Sequence, residues 1–385
     1  MTTIVTVLAD APPALAPGEA LVQGRWVKWI GGASNQDLAA IEDLAGVYAL
    51  AGVHCLDVAA DAAVVAAARR GIAWAERRSA SAAGGGGGGT WRAPWLMVSL
   101  SDGADPHFRK AWFDPGRCPP ACPRPCERVC PALAIGVAAT GSAGVLSERC
   151  YGCGRCLPAC PLGLIEERPH VLAPEAVAPL LAELRPDAVE LHTRIGRGAA
   201  FAERLAQLRA SGVALQRLAV SCALEVGSPS GPSGLTPEDL AAELWDRFAQ
   251  VRQAGFRPLW QLDGRPMSGD LGDGTAHSAV RLLEQVAPLA PPGPLQLAGG
   301  TNRHTLELVE RLARRHSRFG KGGSEGGVAG VAFGGVARRL LQPLLLEAQR
   351  RGGGLLEDPE LARQALALAE TLAGPWLCRS LVAAG

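Results

Sequence analysis

At 385 residues, 48% of them apolar, the chain is long enough for one large domain or two small ones, each with a full core. Its 38 Lys and Arg against 37 Asp and Glu leave a net charge of +1 with no basic block, which argues against nucleic-acid binding driven by phosphate neutralisation. No uninterrupted apolar run approaches a membrane span, so no transmembrane segment is expected.

The opening stretch, MTTIVTVLADAPPALAPGEALVQG, has no basic n-region and carries Asp10, so it does not read as an export signal; a reducing, cytoplasmic setting is expected. Strands are predicted at WVKWIGG (26–32), VHCLDVA (53–59) and WLMVSL (95–100), with helical stretches over 36–50 and 61–78. The GGGGGG tract at 84–89 is loop material, as are GSPSGPSG at 227–234 and GKGGSEGG at 320–327.

The third strand is followed by CPPACPRPCERVCPALAI and then CYGCGRCLPACPLGLI. Each run ends in Cys-Pro, and the second has the C-x2-C-x2-C-x3-C-P spacing in which the fourth cysteine of one run ligates the cluster built by the other. Two iron–sulfur clusters follow. A [4Fe-4S] cluster is expected on Cys150, Cys153 and Cys156 with Cys130. A [4Fe-4S] or [3Fe-4S] cluster is expected on Cys118, Cys122 and Cys126 with Cys160, because the three-residue gaps of the first run depart from the usual spacing. Zinc is disfavoured, since three thiols within one short turn suit a cubane corner better than a tetrahedral site made of separated pairs. Gly152 and Gly154 let the backbone fold tightly and aim amides at sulfur, whereas prolines 119, 120, 123 and 125 give the first run fewer donors. The isolated Cys55, Cys222 and Cys378 lie in apolar segments and are expected to be reduced core residues.

Five more strands are predicted at 188–193, 215–221, 258–263, 295–300 and 328–333, with helices such as 237–254 and 304–315 between them. Eight strands alternating with helices predict an α/β fold, a (β/α)8 TIM-like barrel; an open doubly wound sheet shows the same alternation and is the alternative. The expected organisation is strands 1–3 in residues 1–103, a two-cluster ferredoxin-like domain at 104–168 inserted after strand 3, and strands 4–8 with C-terminal helices in 169–385. An insertion after a strand opens on the C-terminal face, so the clusters should sit at the barrel mouth.

Polar residues stand where a purely structural barrel would place Val, Ile or Leu: Lys28, Asp57, Ser99, Glu190, His192, Ser221, Gln261 and Asp263. In AVELHT the alternation puts Val189 and Leu191 toward the helices and Glu190 and His192 toward the lumen. Together they predict a ligand pocket. The strands at 295–300 and 328–333 each end in a glycine pair, so Gly299, Gly300, Gly334 and Gly335, with Arg338, form a candidate site for the phosphate of a flavin or another phosphorylated ligand.

The segments KWIGGASNQDLAAIEDLAGVYALAGVHCLDVAAD, PWLMVSLSDGADPHFRKAWFDP, CERVCPALAI, RCYGCGRCLPACPLGLI and LWQLDGRPMSGDLGDGTAH closely resemble the cyanobacterial light-dependent period (LdpA) family over nearly the whole chain. The resemblance implies an iron–sulfur protein on the input side of the circadian clock. Such a protein adjusts period with light through cellular redox state and associates with clock and clock-input proteins. The family's eight ligand cysteines carry over onto Cys118, Cys122, Cys126, Cys130, Cys150, Cys153, Cys156 and Cys160. A redox sensor or electron-transfer protein is therefore expected rather than a turnover enzyme. The alternative is an oxidoreductase whose clusters pass electrons to a flavin, quinone or small molecule at the barrel mouth.

Overall fold

Short β-branched and aromatic runs separated by helices close into a barrel, an arrangement that leaves no unpaired strand edge. The computed structural model describes residues 14–34, 37–83, 91–138, 141–222, 236–264, 272–320 and 327–380. A short helix α1 (Pro17–Val22) precedes β1 (Trp26–Gly32), α2 (Leu38–Leu50), β2 (Cys55–Ala59), α3 (Ala62–Ala83) and β3 (Trp95–Ser101). An insert follows, containing β4 (Arg109–Trp112), α4 (Pro125–Val129), β5 (Ile135–Ala138), β6 (Gly141–Val145), α5 (Cys156–Ala159) and β7 (Glu166–Pro169). The barrel resumes with α6 (Pro174–Leu184), β8 (Ala188–Thr193), α7 (Gly198–Ala210), β9 (Arg217–Cys222), α8 (Pro237–Gln253), β10 (Pro258–Asp263) and α9 (Ala276–Val286). It ends with β11 (Leu295–Ala298), α10 (Thr305–Arg315), β12 (Val328–Phe333), α11 (Gly335–Arg350) and α12 (Pro359–Leu377).

The closed order is β1-β12-β11-β10-β9-β8-β3-β2, every pair parallel. This is a (β/α)8 barrel, and the doubly wound alternative falls away. Four strands differ from the expectation at an end, β3 by running one residue further, to Ser101. Val53 donates to Tyr48 O at 3.2 Å, inside the turn that ends α2, so β2 starts at Cys55. β9 runs two residues later at its start than expected. β11 stops at Ala298 because Gly299 and Gly300 take φ of 61° and 92°, outside extended geometry.

Side chains alternate as a barrel requires. Val27, Trp29, Leu56, Val58, Val98, Val189, Leu191, Val220, Trp260 and Leu262 face the helices in the main core. The N-terminal end of the lumen is filled by Trp26, Cys55, Met97, Ala188, Ala219, Leu259 and Ala329, packed with Ala20 and Leu21 of α1. Arg379 closes the same end: its guanidinium donates to Gly24 O, Val328 O and Phe319 O at 3.1, 3.0 and 2.9 Å. Cys55 and Cys222 are buried as expected, but Cys378 is exposed. It caps the C-terminus of α12, one residue past the last turn, where the apolar stripe has already ended.

The insert is built on two antiparallel ribbons, β4 with β7 and β5 with β6. Its small core is Phe113, Cys126, Ile135, Cys156 and Ile165. The 84–89 and 227–234 tracts lie outside the described residues, as does all but the two ends of 320–327.

Candidate functional site

The two cysteine runs fold as near-copies. In each, Cys-Pro is followed two residues later by a left-handed residue, Leu133 with φ 49° or Gly163 with φ 61°. The next amide returns to the cysteine sulfur: Ala134 N to Cys130 Sγ at 3.3 Å, Leu164 N to Cys160 Sγ at 3.4 Å. Sulfur-directed amides of this kind orient and tune cluster ligands.

Cys130, Cys150, Cys153 and Cys156 line one cavity together with Ala111, Ala134, Ile135, Val145 and Tyr151. The fourth cysteine of the first run thus meets the first three of the second. Cys118 lies against Cys122 and near Cys160, which also neighbours Cys126. Burial and the neighbouring thiols Cys153 and Cys150 push the Cys156 thiol up to about 12. Burial acts the same way on Cys160, but the amides of Leu164, Leu162, Ile165 and Gly163 outweigh it and hold that thiol below its ordinary value. The buried Tyr151 hydroxyl sits beside Cys153 and has no nitrogen or oxygen partner. Four thiols around one cavity with an orphaned donor aimed at them fit an iron–sulfur cluster.

Backbone conformation presses this loop onto β4 and the residues just past β1. At Gly152, φ is 77° and an added Cβ would lie 2.3 Å from Arg109 O and 3.2 Å from Ser34 Cβ, so only glycine fits. Ser34, just past β1, donates to His107 O at 2.7 Å, and Arg155 pairs with Asp37. At the neck, Asp102 accepts from Thr193 and from Arg197 Nη1 at 3.3 Å, Asp102 N donates to His192 O at 3.1 Å, and His170 N donates to Phe108 O at 2.8 Å. The insert therefore stands on the ends of β1, β3 and β8.

The polar strand residues do converge in the lumen, but as a self-satisfied network. Lys28 Nζ donates to Asp57 Oδ2 at 2.9 Å, to Gln261 Oε1 at 2.8 Å and to Glu190 Oε2. Ser99 Oγ donates to Asp57 at 2.7 Å, and Gln261 Nε2 to Glu190 Oε1 at 2.9 Å. Gln296, which sequence reasoning missed, donates to Gln261 at 2.6 Å and accepts from Trp26 Nε1 at 2.5 Å, joining this layer to the apolar one beneath. Lys28, Asp57, Glu190, Gln261 and Gln296 are all at most 2% exposed. In place of the expected open pocket there is a packed polar layer, because each group finds its partner across the barrel axis. Burial pushes Lys28 down, but the Asp57 and Glu190 carboxylates more than offset it and hold the ammonium above its ordinary value. The same burial raises Asp57 to about 6 against the pull of Lys28. At Glu190, Lys28 and His192 overcome burial and the carboxyl is held low.

His192 and Asp263 lie toward the mouth. Asp263 accepts from Ser221 at 2.6 Å; His192 Nε2 is 3.0 Å from Glu190 Oε1. Burial lowers His192, but Glu190, then Asp105 and Asp263, carry it up to about 9. Of the glycine pairs, Gly300 is packed so that a Cβ would meet Thr275 O at 2.9 Å, and its own carbonyl accepts from Thr275 Oγ1 at 2.6 Å. Gly334 and Gly335 open α11, one turn from Arg338, whose guanidinium burial pushes below its ordinary value. Gly334, Gly335 and Arg338 share the first turn of α11 by their sequence spacing, while Gly300 has a packing reason of its own. Asp102, Asp105, His107 and Tyr151 escaped sequence reasoning; Asp105 and His107, within DGADPHF, lay in a loop with no periodicity to mark them.

Residues 118–171 match the family model described as the LdpA Fe-S cluster-binding domain, and residues 180–375 the model described as the light dependent period A C-terminal domain. The chain is 46% identical over 362 residues to light dependent period A of Synechococcus elongatus, covering 93% of each chain. Among solved structures it is similar to fructose-bisphosphate aldolases from Plasmodium falciparum (13% identity, 96% and 97% of the two chains, TM-score 0.41) and Campylobacter jejuni (10%, 98% and 96%, 0.40). No helix of the described residues is long and apolar enough to cross a membrane. With the cysteine-lined insert, the barrel that carries it and this degree of identity all in agreement, the chain is an iron–sulfur protein of the light dependent period A family.

Proposed function

We propose that this protein is a redox sensor that adjusts circadian period to light, binding clock or clock-input proteins in a cluster-dependent way. The observation that carries the reading is the cross-run cavity of Cys130, Cys150, Cys153 and Cys156 in an insert that stands on the barrel mouth. The name of the Synechococcus elongatus relative supports the biological setting. Cys118, Cys122, Cys126 and Cys160 would hold a second cluster, a [4Fe-4S] or a [3Fe-4S]. When bound, each cluster supplies a one-electron couple, and so a unit change of charge.

The chain's own residues give that charge a route outward. The amides of Ala134 and Leu164 point at ligand sulfurs, and the Tyr151 hydroxyl adds a movable donor. Gly152 bears directly on Arg109, and Arg109 adjoins the neck that Asp102 and His170 tie to β8 and β4. A change in hydrogen-bond strength at the cluster loop is therefore felt at the contact between insert and barrel. Because the lumen residues are engaged with one another, a sensor is favoured over an enzyme passing electrons to a flavin or quinone in the barrel.

The test is a cell-based period measurement with wild type and Cys156→Ser at two light intensities, alongside iron, sulfide, flavin and electron paramagnetic resonance analysis of the anaerobically purified protein. Loss of the light dependence of period in the variant, with two clusters and no flavin in the wild type, supports the sensor. An unchanged period response, or clock partners that bind equally to oxidised, reduced and cluster-free protein, refutes it.

A further inference from the structure

Apart from the cysteines, one group of side chains at the barrel mouth has the composition of a metal site. Asp105 and His107 come from the loop after β3, and His192 from the end of β8; their ligating atoms all lie within 4.8 Å of one another. His107 Nδ1 is 2.7 Å from Asp105 Oδ1, and His192 Nδ1 is 3.8 Å from Asp105 Oδ2. Metal–ligand bonds of 2.0–2.1 Å put neighbouring ligands about 3.0–3.4 Å apart, between these two values. Small rotations of the two rings would therefore seat all three groups on one ion.

The second observation lies behind the ring. His192 Nε2 is 3.0 Å from Glu190 Oε1, and Glu190 is fixed by Lys28 and by Gln261. With Nε2–H donating to that carboxylate, an ion at this place would replace the proton on Nδ1, the ring nitrogen nearest Asp105. This is the carboxylate–histidine arrangement that orients metal-bound imidazoles. Phe108 packs edge-on against the same ring at 5.1 Å and limits its swing. The side chains of Asp105 and His192 are each 10% exposed and that of His107 is 39% exposed, so an ion has a way in from one side.

The geometry points to a mononuclear divalent transition-metal site formed by Asp105, His107 and His192, with Glu190 as the positioning residue behind His192. Its two-nitrogen, one-oxygen donor set suits Zn2+ or Fe2+ and leaves coordination positions open to solvent or a small ligand. It contains no sulfur, is separate from both cysteine groups, and does not depend on the sensor reading. Because His107 is two residues from Arg109, which Gly152 abuts, the ion would also brace the neck between barrel and insert.

The test uses the anaerobically purified full chain with its clusters in place, stripped of loosely held metal, given Zn2+ and desalted. One zinc retained per chain with iron and sulfide unchanged is the expected result, with an absorption-edge shell of nitrogen and oxygen at about 2.0–2.1 Å and no sulfur. Asp105→Asn and His107→Ala should each weaken retention by about 100-fold or more, since even groups behind the ligands cost 10–100-fold. The wild-type spectrum decides the matter even if a variant folds badly. No retained zinc, a sulfur shell at about 2.3 Å, or equal retention in the wild type and both folded variants overturns the proposal.

Discussion

Replacing Lys28 by Met tests whether the lumen network is held together by its buried lysine. Lys28 is fully buried and donates to Asp57, Glu190 and Gln261. Met is of similar length, so the perturbation is loss of charge and hydrogen bonds rather than a cavity. Asp57 keeps only Ser99 as a neutral donor, and Glu190 keeps Gln261 and His192. Removing one member of a buried ion pair costs about 3–5 kcal/mol, since the stranded charge has no solvent to return to. The pH dependence has a definite sign. Asp57 already sits at about 6 and rises further without Lys28. A carboxyl whose folded-state value is raised contributes stability below its unfolded value of 3.8 and loses it as pH climbs through the folded value. The deficit of Lys28→Met is therefore largest near pH 8 and shrinks toward pH 5. Anaerobic denaturant unfolding, followed by the fluorescence of the buried Trp26, Trp29 and Trp260, reads it. A deficit below about 1 kcal/mol, or one equal at both pH values, would refute the account of the network.

Three further outcomes can be checked on the same preparation. Gly152→Ala should lose roughly half the iron, because a Cβ 2.3 Å from Arg109 O forces the cluster loop off β4; full iron content would show the contact is dispensable. Tyr151→Phe removes a donor beside Cys153 and should shift one cluster potential downward by roughly 40 mV, the equivalent of about 1 kcal/mol for one electron, with iron content unchanged; redox titration measures it. Arg379→Ala strands the carbonyls of Gly24, Phe319 and Val328 and should lower stability by about 3 kcal/mol without touching iron content, because it acts at the opposite end of the barrel.

The amino-acid sequence by itself determined the alternation of eight strands with helices, the insertion after the third and the iron–sulfur character of the two cysteine runs. Each is a local pattern: period two in AVELHT, fixed gaps in CYGCGRC, a Cys-Pro to end each run. Pattern also marked Lys28, Asp57, Glu190 and Gln261 as unusual in strands, yet it could not tell an open pocket from a closed network. That depended on strand register, which places Ser99 opposite Glu190 and Ser221 opposite both His192 and Gln261. Likewise Cys378 reads as apolar in sequence and is exposed because α12 ends just before it. Tertiary structure alone brought Asp105 and His107 to His192, and Arg379 to Gly24. Such groups lie far apart along the chain, and no local periodicity records a meeting that only closure of the barrel creates.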